Sequence, residues 1–495
     1  MQFTQLDPRA CYQAMKAHDA RFDGHFFVGV STTGVYCRPI CRVRLPKPEN
    51  CSFHPSAAAA EAAGFRPCLR CRPELAPGFA ATEASAKLAR TAARMIEDGV
   101  ATAVDLAFVA RRIGVSDRHL RRIFAAEFGV APIQYAQTHR LLLAKRLLTD
   151  TPLPVVDVAF ASGFSSVRRM NALFTQRYGF SPTRLRKEGG QHGAAVDEHA
   201  LSFILPYRPP YDFPRLLAFF GMRAMPGVES VDAAAYRRVV RVASNPTTIG
   251  WLEVSQVPQR HALQLRFSAT LAAASQELLS LTRQAFDVGA DPQEIAAVLG
   301  PLAQGAEGLR LPGAFDAFEL ALRAILGQQV SVKAARTLAS RFVEAYGEPV
   351  ATPFADLTRA FPLPSRVAAL QRDEIARLGI VGQRADAMIA LARAMLAGTL
   401  MLGHACAAEE TIESLRRIRG IGPWTAHYIA MRALAWPDAW PPQDVALLGA
   451  LQLPNTAPGQ RAADAMAEAW RPWRSYAVLH AWRKLETVDE AKEQR

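Results

Sequence analysis

Val35-Tyr36-Cys37-Arg38-Pro39-Ile40-Cys41 and, further on, Arg66-Pro67-Cys68-Leu69-Arg70-Cys71 set four cysteines in the pattern C-x3-C-x26-C-x2-C. Two close pairs joined by a longer loop can put four sulfurs at the corners of a tetrahedron. That is the geometry zinc prefers, with a ligand it binds tightly. The alternatives are four scattered or buried thiols, or a disulfide framework, and nothing in the chain marks it as secreted. Arg38, Arg42, Arg44, Arg66, Arg70 and Arg72 crowd the same neighbourhood. A structural zinc site has no use for so many arginines, whereas phosphate recognition does. A zinc-bound thiolate beside guanidinium groups is a nucleophile next to an anion-binding surface, which points to chemistry on a phosphate ester with sulfur as acceptor.

Residues 26–73 resemble the N-terminal domain of the adaptive-response (Ada) proteins, through Thr32-Thr33-Gly34-Val35-Tyr36-Cys37-Arg38-Pro39 and Ala63-Gly64-Phe65-Arg66-Pro67-Cys68. The resemblance implies a domain that takes a methyl group irreversibly from a DNA methylphosphotriester onto the first of four zinc-bound cysteines. Cys37 is then the acceptor, and Cys41, Cys68 and Cys71 complete the ligand set of one zinc. It also implies DNA contacts from Thr33, Arg44, Arg66 and Arg70. Methylation of Cys37 removes one negative charge from the protein face, so it can raise affinity for the DNA polyanion.

Outward from this segment, 495 residues leave room for three or four domains. Half the residues are hydrophobic and 21% charged, as in ordinary globular proteins. No stretch is long and apolar enough to cross a membrane, and the first residues lack the basic and apolar regions of a secretory signal. A reducing cytoplasm is the expected compartment. The net charge of +13 is uneven: residues 1–190 hold 27 Lys and Arg against 15 Asp and Glu, and the remainder 31 against 30. A basic first part suits a polyanionic partner, with double-stranded DNA the expected one.

From residue 82 the pattern is helical, with Leu88, Ala92, Met95 and Ile96 on one spacing. A helix over 104–113, the turn Gly114-Val115-Ser116 and a helix over 117–128 spell a helix-turn-helix with a Ser N-cap. Arg118, Arg121 and Arg122 on the second helix suit the major groove. The pattern repeats fifty residues on, where Phe128-Gly129-Val130-Ala131-Pro132 recurs as Tyr178-Gly179-Phe180-Ser181-Pro182. Residues 82–187 resemble the DNA-binding domain of AraC-type activators. The second copy departs from that family's pattern at Met170 and Ala172.

Gly189-Gly190-Gln191-His192-Gly193 reads as a linker. Short strands over 236–242, 248–254 and 262–267 and a helix over 271–286 predict a small α+β unit, and residues 315–485 read as helical. Within the latter, Leu415-Arg416-Arg417-Ile418-Arg419-Gly420-Ile421-Gly422-Pro423-Trp424-Thr425-Ala426 places two helices around a tight Gly-Ile-Gly turn. Glycines let a ligand backbone approach, and the amides opening the second helix can hold a phosphate. This is a helix-hairpin-helix, a grip on DNA independent of base sequence.

Twenty residues beyond Trp424 stands Pro441-Pro442-Gln443-Asp444. Residues 201–485 resemble the 3-methyladenine DNA glycosylase II (AlkA) branch, also through Tyr207-Arg208-Pro209-Pro210-Tyr211-Asp212 and Ile325-Leu326-Gly327-Gln328-Gln329-Val330-Ser331. The resemblance implies that Asp444 is the catalytic carboxylate, which stabilises oxocarbenium character at C1′. It implies that Trp424, Tyr428 and Trp482 hold the flipped base, whose positive charge when N-alkylated attracts aromatic faces. Gln329 falls where the family inserts a side chain into the gap in the duplex. Gly420 and Gly422 fall in the hairpin, where carbonyls of Arg416, Ile418 and Ile421 can bind a monovalent cation. Gln443 cannot form a Schiff base, so a monofunctional glycosylase is expected. No Pro-Cys-His-Arg string marks an O6-methylguanine acceptor domain.

The expected architecture is multidomain and mainly α with α+β parts. It comprises a zinc-binding methyl-acceptor domain (1–78), a double helix-turn-helix (82–187), a linker (188–200), an α+β domain (201–308) and an all-α helix-hairpin-helix glycosylase domain (309–487). The expected protein is a monomer that senses methylphosphotriesters, activates transcription with RNA polymerase as partner, and excises alkylated bases. Two alternatives are a regulator with an inactive, DNA-binding glycosylase-like half, and a non-catalytic binder of damaged DNA.

Overall fold

The computed structural model describes residues 7–76, 84–97, 106–113, 115–151, 153–189, 199–243, 245–403 and 406–493. Gly114 of the first turn and linker residues 190–198 lie outside them, as do the starts of the helices expected from 82 and 104. No helix among the described residues is long and apolar enough to cross a membrane.

The first unit is a four-stranded sheet in the order Cys51–His54, Phe27–Val30, Val35–Cys37, Arg66–Pro67. Gly34, at φ +63°, closes the turn between the two central strands, a backbone state most side chains avoid. The last strand runs parallel, with Tyr36 opposite Pro67, and the Cys68 N–H donates to Tyr36 O at 3.0 Å. That register carries the second cysteine pair to the strand end that holds Cys37. Ser56 caps the helix Ala57–Ala62 by accepting from the Ala59 N–H.

The internal repeat is a repeat of caps. Ser116 accepts from the His119 N–H to open Asp117–Phe128, and Ser166 accepts from the Arg169 N–H to open Val167–Tyr178. Both helices end on a left-handed glycine, Gly129 at φ +72° and Gly179 at φ +75°, and a proline then starts the next helix. The helix Pro132–Asp150 joins the two copies and is buried along much of its length.

Next comes a five-stranded antiparallel sheet in the order Ala200–Pro206, Ala262–Ser268, Asn245–Val257, Ala235–Val242, Glu229–Val231. The three strands expected here are present, and the central one is longer than its alternation predicted. The helix expected over 271–286 opens as a 3-10 segment, Ala269–Ala274, and becomes α-helical only over Ser275–Ala285. The helix Phe213–Arg223 was not foreseen; Asp212 caps it and Pro214 sits in its first turn. The 315–485 region is helical apart from a two-stranded pair, Glu348–Pro349 with Arg359–Ala360. Met225, Ile295 and Leu299 share its core with the hairpin residues Leu415 and Ile421.

The units are bonded to one another. Ser56 Oγ donates to Phe128 O at 2.8 Å, and Lys145 Nζ meets Glu74 at 2.6 Å, both buried. Arg72 pairs with Glu74 and Asp150. Arg146 donates to Ile204 O at 2.7 Å and lies 4.9 Å from the Phe203 ring centroid. One apolar core runs from the second helix-turn-helix (Phe164, Phe174) into the sheet (Phe203, Phe267). His25 Nε2 lies 2.7 Å from Asp291, which joins the first unit to the glycosylase-like half.

Candidate functional sites

The four sulfurs of Cys37, Cys41, Cys68 and Cys71 lie within 4.8 Å of one another. Tetrahedral zinc–thiolate bonds of about 2.3 Å need sulfurs about 3.8 Å apart, so the cluster fits the ion with small adjustments. The Arg38 N–H donates to Cys71 Sγ at 3.4 Å, a polar contact suited to a thiolate. Cys37, Cys41 and Cys68 are buried, and Cys37 retains 7% of its surface.

The arginines divide into two sets that the sequence did not distinguish. Arg38 is buried, donates to Asp23 (Nε to Oδ1 at 2.9 Å) and reaches Cys71 O. Arg72 turns toward Glu74 and Asp150. These two brace the structure and do not offer charge to a phosphate. Arg42, Arg44, Arg66 and Arg70 are exposed, as is Thr33, whose Oγ1 donates to Val30 O. Thr33 lies in the turn before Val35–Cys37, and Arg66 pairs in register with Val35, so both lie at one end of the strand that holds Cys37.

On the helix Asp117–Phe128, Arg118, Arg121 and Arg122 face solvent, while Leu120, Ile123 and Phe124 fill the core. Arg121 pairs with Asp117 at 2.9 Å, and Arg122 Nη2 lies 3.2 Å from His119 Nδ1. In the second copy Met170 is fully buried, so it takes the core place of an aromatic, and Ala172 is exposed.

The third site is a cleft of 1760 Å³. Gln329, Gly420, Gly422, Trp424, Tyr428, Asp444 and Trp482, predicted from four separate stretches, all line it. Gly420 has φ +97°, and a Cβ there would stand 3.1 Å from Ala387 Cβ, so turn and packing both require glycine. Gly422 caps Pro423–Ala433 in an ordinary extended state, with open space where a side chain would stand. The glycine thus leaves the helix N-terminus bare. Gln328 Nε2 donates to Gly420 O at 2.9 Å and Thr425 Oγ1 at 3.0 Å, fixing the turn. Gln329 is exposed and held at φ +56°, a strained state for a residue with a side chain.

Asp444 is 7% exposed and commits both oxygens. Oδ1 accepts the Leu447 N–H at 2.8 Å, capping Val445–Ala450, and Oδ2 accepts the Trp424 indole N–H at 2.9 Å. The cap and the indole together fix the carboxylate in the cleft wall. Trp424 stacks on Tyr428 at 5.1 Å and 9°, and the Trp482 centroid is 6.5 Å from Tyr428. Among the other lining residues that sequence reasoning missed are Phe219, Arg223 and Arg432. Arg432 could have been found, since Trp424, Tyr428 and Arg432 recur at four-residue spacing on one helix. Phe219 and Arg223 lie on the unforeseen helix Phe213–Arg223.

Family models match in four places: the metal binding domain of Ada over residues 10–74, a helix-turn-helix domain over 109–188, the AlkA N-terminal domain over 202–316, and the HhH-GPD superfamily of base excision DNA repair proteins over 322–475. A probable bifunctional transcriptional activator/DNA repair enzyme AlkA of Mycobacterium tuberculosis is 37% identical over 97% of each chain. DNA-3-methyladenine glycosylase 2 of Escherichia coli is 38% identical over 57% of this chain and 96% of its own. The bifunctional transcriptional activator/DNA repair enzyme Ada of that organism is 40% identical over 28% of this chain and 36% of its own.

Proposed function

Since this chain belongs to the family of fused transcriptional activator/DNA repair AlkA proteins, carrying an Ada-type zinc domain, a helix-turn-helix unit and a helix-hairpin-helix glycosylase, we propose the following division of labour. Cys37 takes a methyl group from a DNA methylphosphotriester. A sulfur–carbon bond forms, the carbon–oxygen bond breaks, and its electron pair stays on the phosphate oxygen. Bound zinc keeps the sulfurs as thiolates at neutral pH. Thr33, Arg44, Arg66 and Arg70 hold the phosphate backbone. Loss of the Cys37 charge strengthens DNA binding, Arg118, Arg121 and Arg122 then hold the promoter DNA, and RNA polymerase is the partner of the activator.

In the second half Asp444 stabilises the oxocarbenium ion as the glycosidic bond breaks. The observation that carries this reading is the carboxylate held by Leu447 and Trp424 at the head of the aromatic cleft. Trp424, Tyr428 and Trp482 receive the flipped base, and Gln329 occupies the gap it leaves. Gly420 and Gly422 bring the hairpin amides against a phosphate, where the Arg416, Ile418 and Ile421 carbonyls also suit a monovalent cation. With Gln443 beside Asp444 and no lysine there, the enzyme hydrolyses without cutting the strand. The protein works as a monomer.

Free-base release from methylated duplex DNA, by wild type and Asp444→Asn together, tests this reading. Wild type releases 3-methyladenine and the variant does not, while both accept methyl on Cys37. Methyl transfer to a folded Cys37→Ala protein would remove the acceptor assignment. Absence of base release by wild type, with Cys37 still active, would make the second half a DNA-binding appendage.

A further inference from the structure

A second cavity, of 130 Å³, lies where three units of the chain meet. Phe27, Ser56 and Glu74 of the zinc-binding unit line it, with Tyr135 and Arg146 of the helix Pro132–Asp150 and Arg283 of the helix Ser275–Ala285. The space equals about four waters at ~30 Å³ each, enough for a small oxyanion and too little for a nucleotide. Arg283 is half-buried, and among the described residues it makes no hydrogen bond and no ion pair. Arg146 is 2% exposed. Its Nη2 donates to Ile204 O at 2.7 Å, but its Nε is buried without a hydrogen-bond partner. The Asp150 carboxylate stands 3.7 Å from that Nε, beyond hydrogen-bond reach. Burial pushes the Arg146 guanidinium down to about 9; Asp150 and Glu74 pull it up, and Arg283 and Arg72 push it further down.

The acids around the cavity are already engaged. Glu74 is held by Lys145 at 2.6 Å and Arg72 at 3.0 Å, Asp150 by Arg72 at 2.6 Å, and Glu97 accepts from Tyr135 OH. Guanidinium donors, and not carboxylates, are what the cavity leaves unmatched. A desolvated guanidinium with unused N–H groups is costly until an acceptor meets it. Water supplies a neutral acceptor, whereas an oxyanion supplies acceptors and the opposite charge together.

We propose that Arg146 and Arg283 form a binding site for a small oxyanion, inorganic phosphate or a short carboxylate, which ties the helix-turn-helix unit to the unit of the five-stranded sheet. The planar fork of a guanidinium matches the edge of either anion. One arginine belongs to the helix joining the two helix-turn-helix copies and the other to the helix packed on the sheet. An anion shared by both therefore acts as a common counterion across the junction. Neither arginine lines the aromatic cleft, so the site is separate from base excision.

The test uses the full, zinc-loaded chain in sodium chloride buffer of fixed ionic strength, which screens the exposed arginines. Inorganic phosphate and acetate are titrated separately, with calorimetry and with hydrogen exchange of peptides spanning 132–150 and 275–285. At least one of them is expected to bind at one per chain and to slow exchange in both peptides. Arg283→Gln has no hydrogen bond to lose, and it should weaken that binding by about tenfold or more, the worth of one charge-assisted contact. Arg283→Lys should recover part of the loss, and both variants should keep base release and methyl acceptance at wild-type levels. Protection by phosphate alone, by acetate alone or by both supports the site and says which oxyanion it takes. No protection from either at millimolar concentration, or equal protection in Arg283→Gln, overturns the proposal and makes the cavity a water site.

Discussion

Glu61 offers a sharp test of how the methyl-acceptor unit is joined to the helix-turn-helix. It is 5% exposed, on the helix Ala57–Ala62. Its Oε1 accepts from Tyr36 OH at 3.0 Å and Tyr178 OH at 3.4 Å, and its Oε2 from Thr138 Oγ1 at 3.0 Å. One carboxyl thus binds the neighbour of Cys37, the connecting helix and the end of the helix Val167–Tyr178. Burial pushes its pKa from 4.5 to about 7, against the pull of those hydroxyls. The native state therefore holds the proton more tightly than the unfolded chain does. That contribution to stability is fully present below about pH 4.5 and is lost as pH rises through 7. The interval is worth about 3 kcal/mol.

Glu61→Gln removes the titration and keeps the shape, because Gln Oε1 still accepts and the Thr138 hydroxyl can turn to accept from Nε2. The variant should match wild type near pH 5 and exceed it by about 2–3 kcal/mol at pH 8. A chain of several domains does not unfold in two states, so the readout must be local. Hydrogen exchange of peptides spanning 27–37 and 132–150, in urea with zinc saturating, reports on this junction at pH 5, 6, 7 and 8. Parallel pH curves for the two proteins would refute the reasoning, since they would mean that Glu61 carries the same charge in the folded and unfolded states.

Three other outcomes follow from the same geometry. Trp424→Phe keeps a ring beside Tyr428 but removes the indole donor to Asp444 Oδ2; base release should fall by roughly tenfold to a hundredfold, the worth of one hydrogen bond to a charged group. Gln329→Gly relieves the strained backbone and should stabilise its surroundings by about 1 kcal/mol, read as slower hydrogen exchange of peptides spanning 317–346, while slowing excision from duplex but not from single-stranded DNA. Stripping zinc with a chelator should abolish methyl acceptance and expose the buried edge around Cys37 to proteolysis, with base release by the second half retained.

Local chemistry was legible in the sequence. Cysteine spacing identified the metal site, because ligands four and three residues apart converge whatever surrounds them. The helix-turn-helix copies showed because Ser116 and Ser166 cap, and Gly129 and Gly179 terminate, by bonds within one turn of chain. The hairpin string and Asp444 were recognisable together, since the glycines and the cap act through their immediate neighbours. Tertiary structure decided what each side chain faces. Arg38 and Arg72 look like Arg44 and Arg66 in the sequence, yet they turn inward to Asp23, Glu74 and Asp150, carboxylates as far as 78 residues away. Glu61 carries no motif in the sequence, yet it is buried among three hydroxyls from distant segments. Arg223 enters the cleft from a helix that the sequence did not announce. Capping and turn formation are settled by a few adjacent residues. Burial and charge pairing depend on which surfaces meet across the fold, and no short window of sequence contains that.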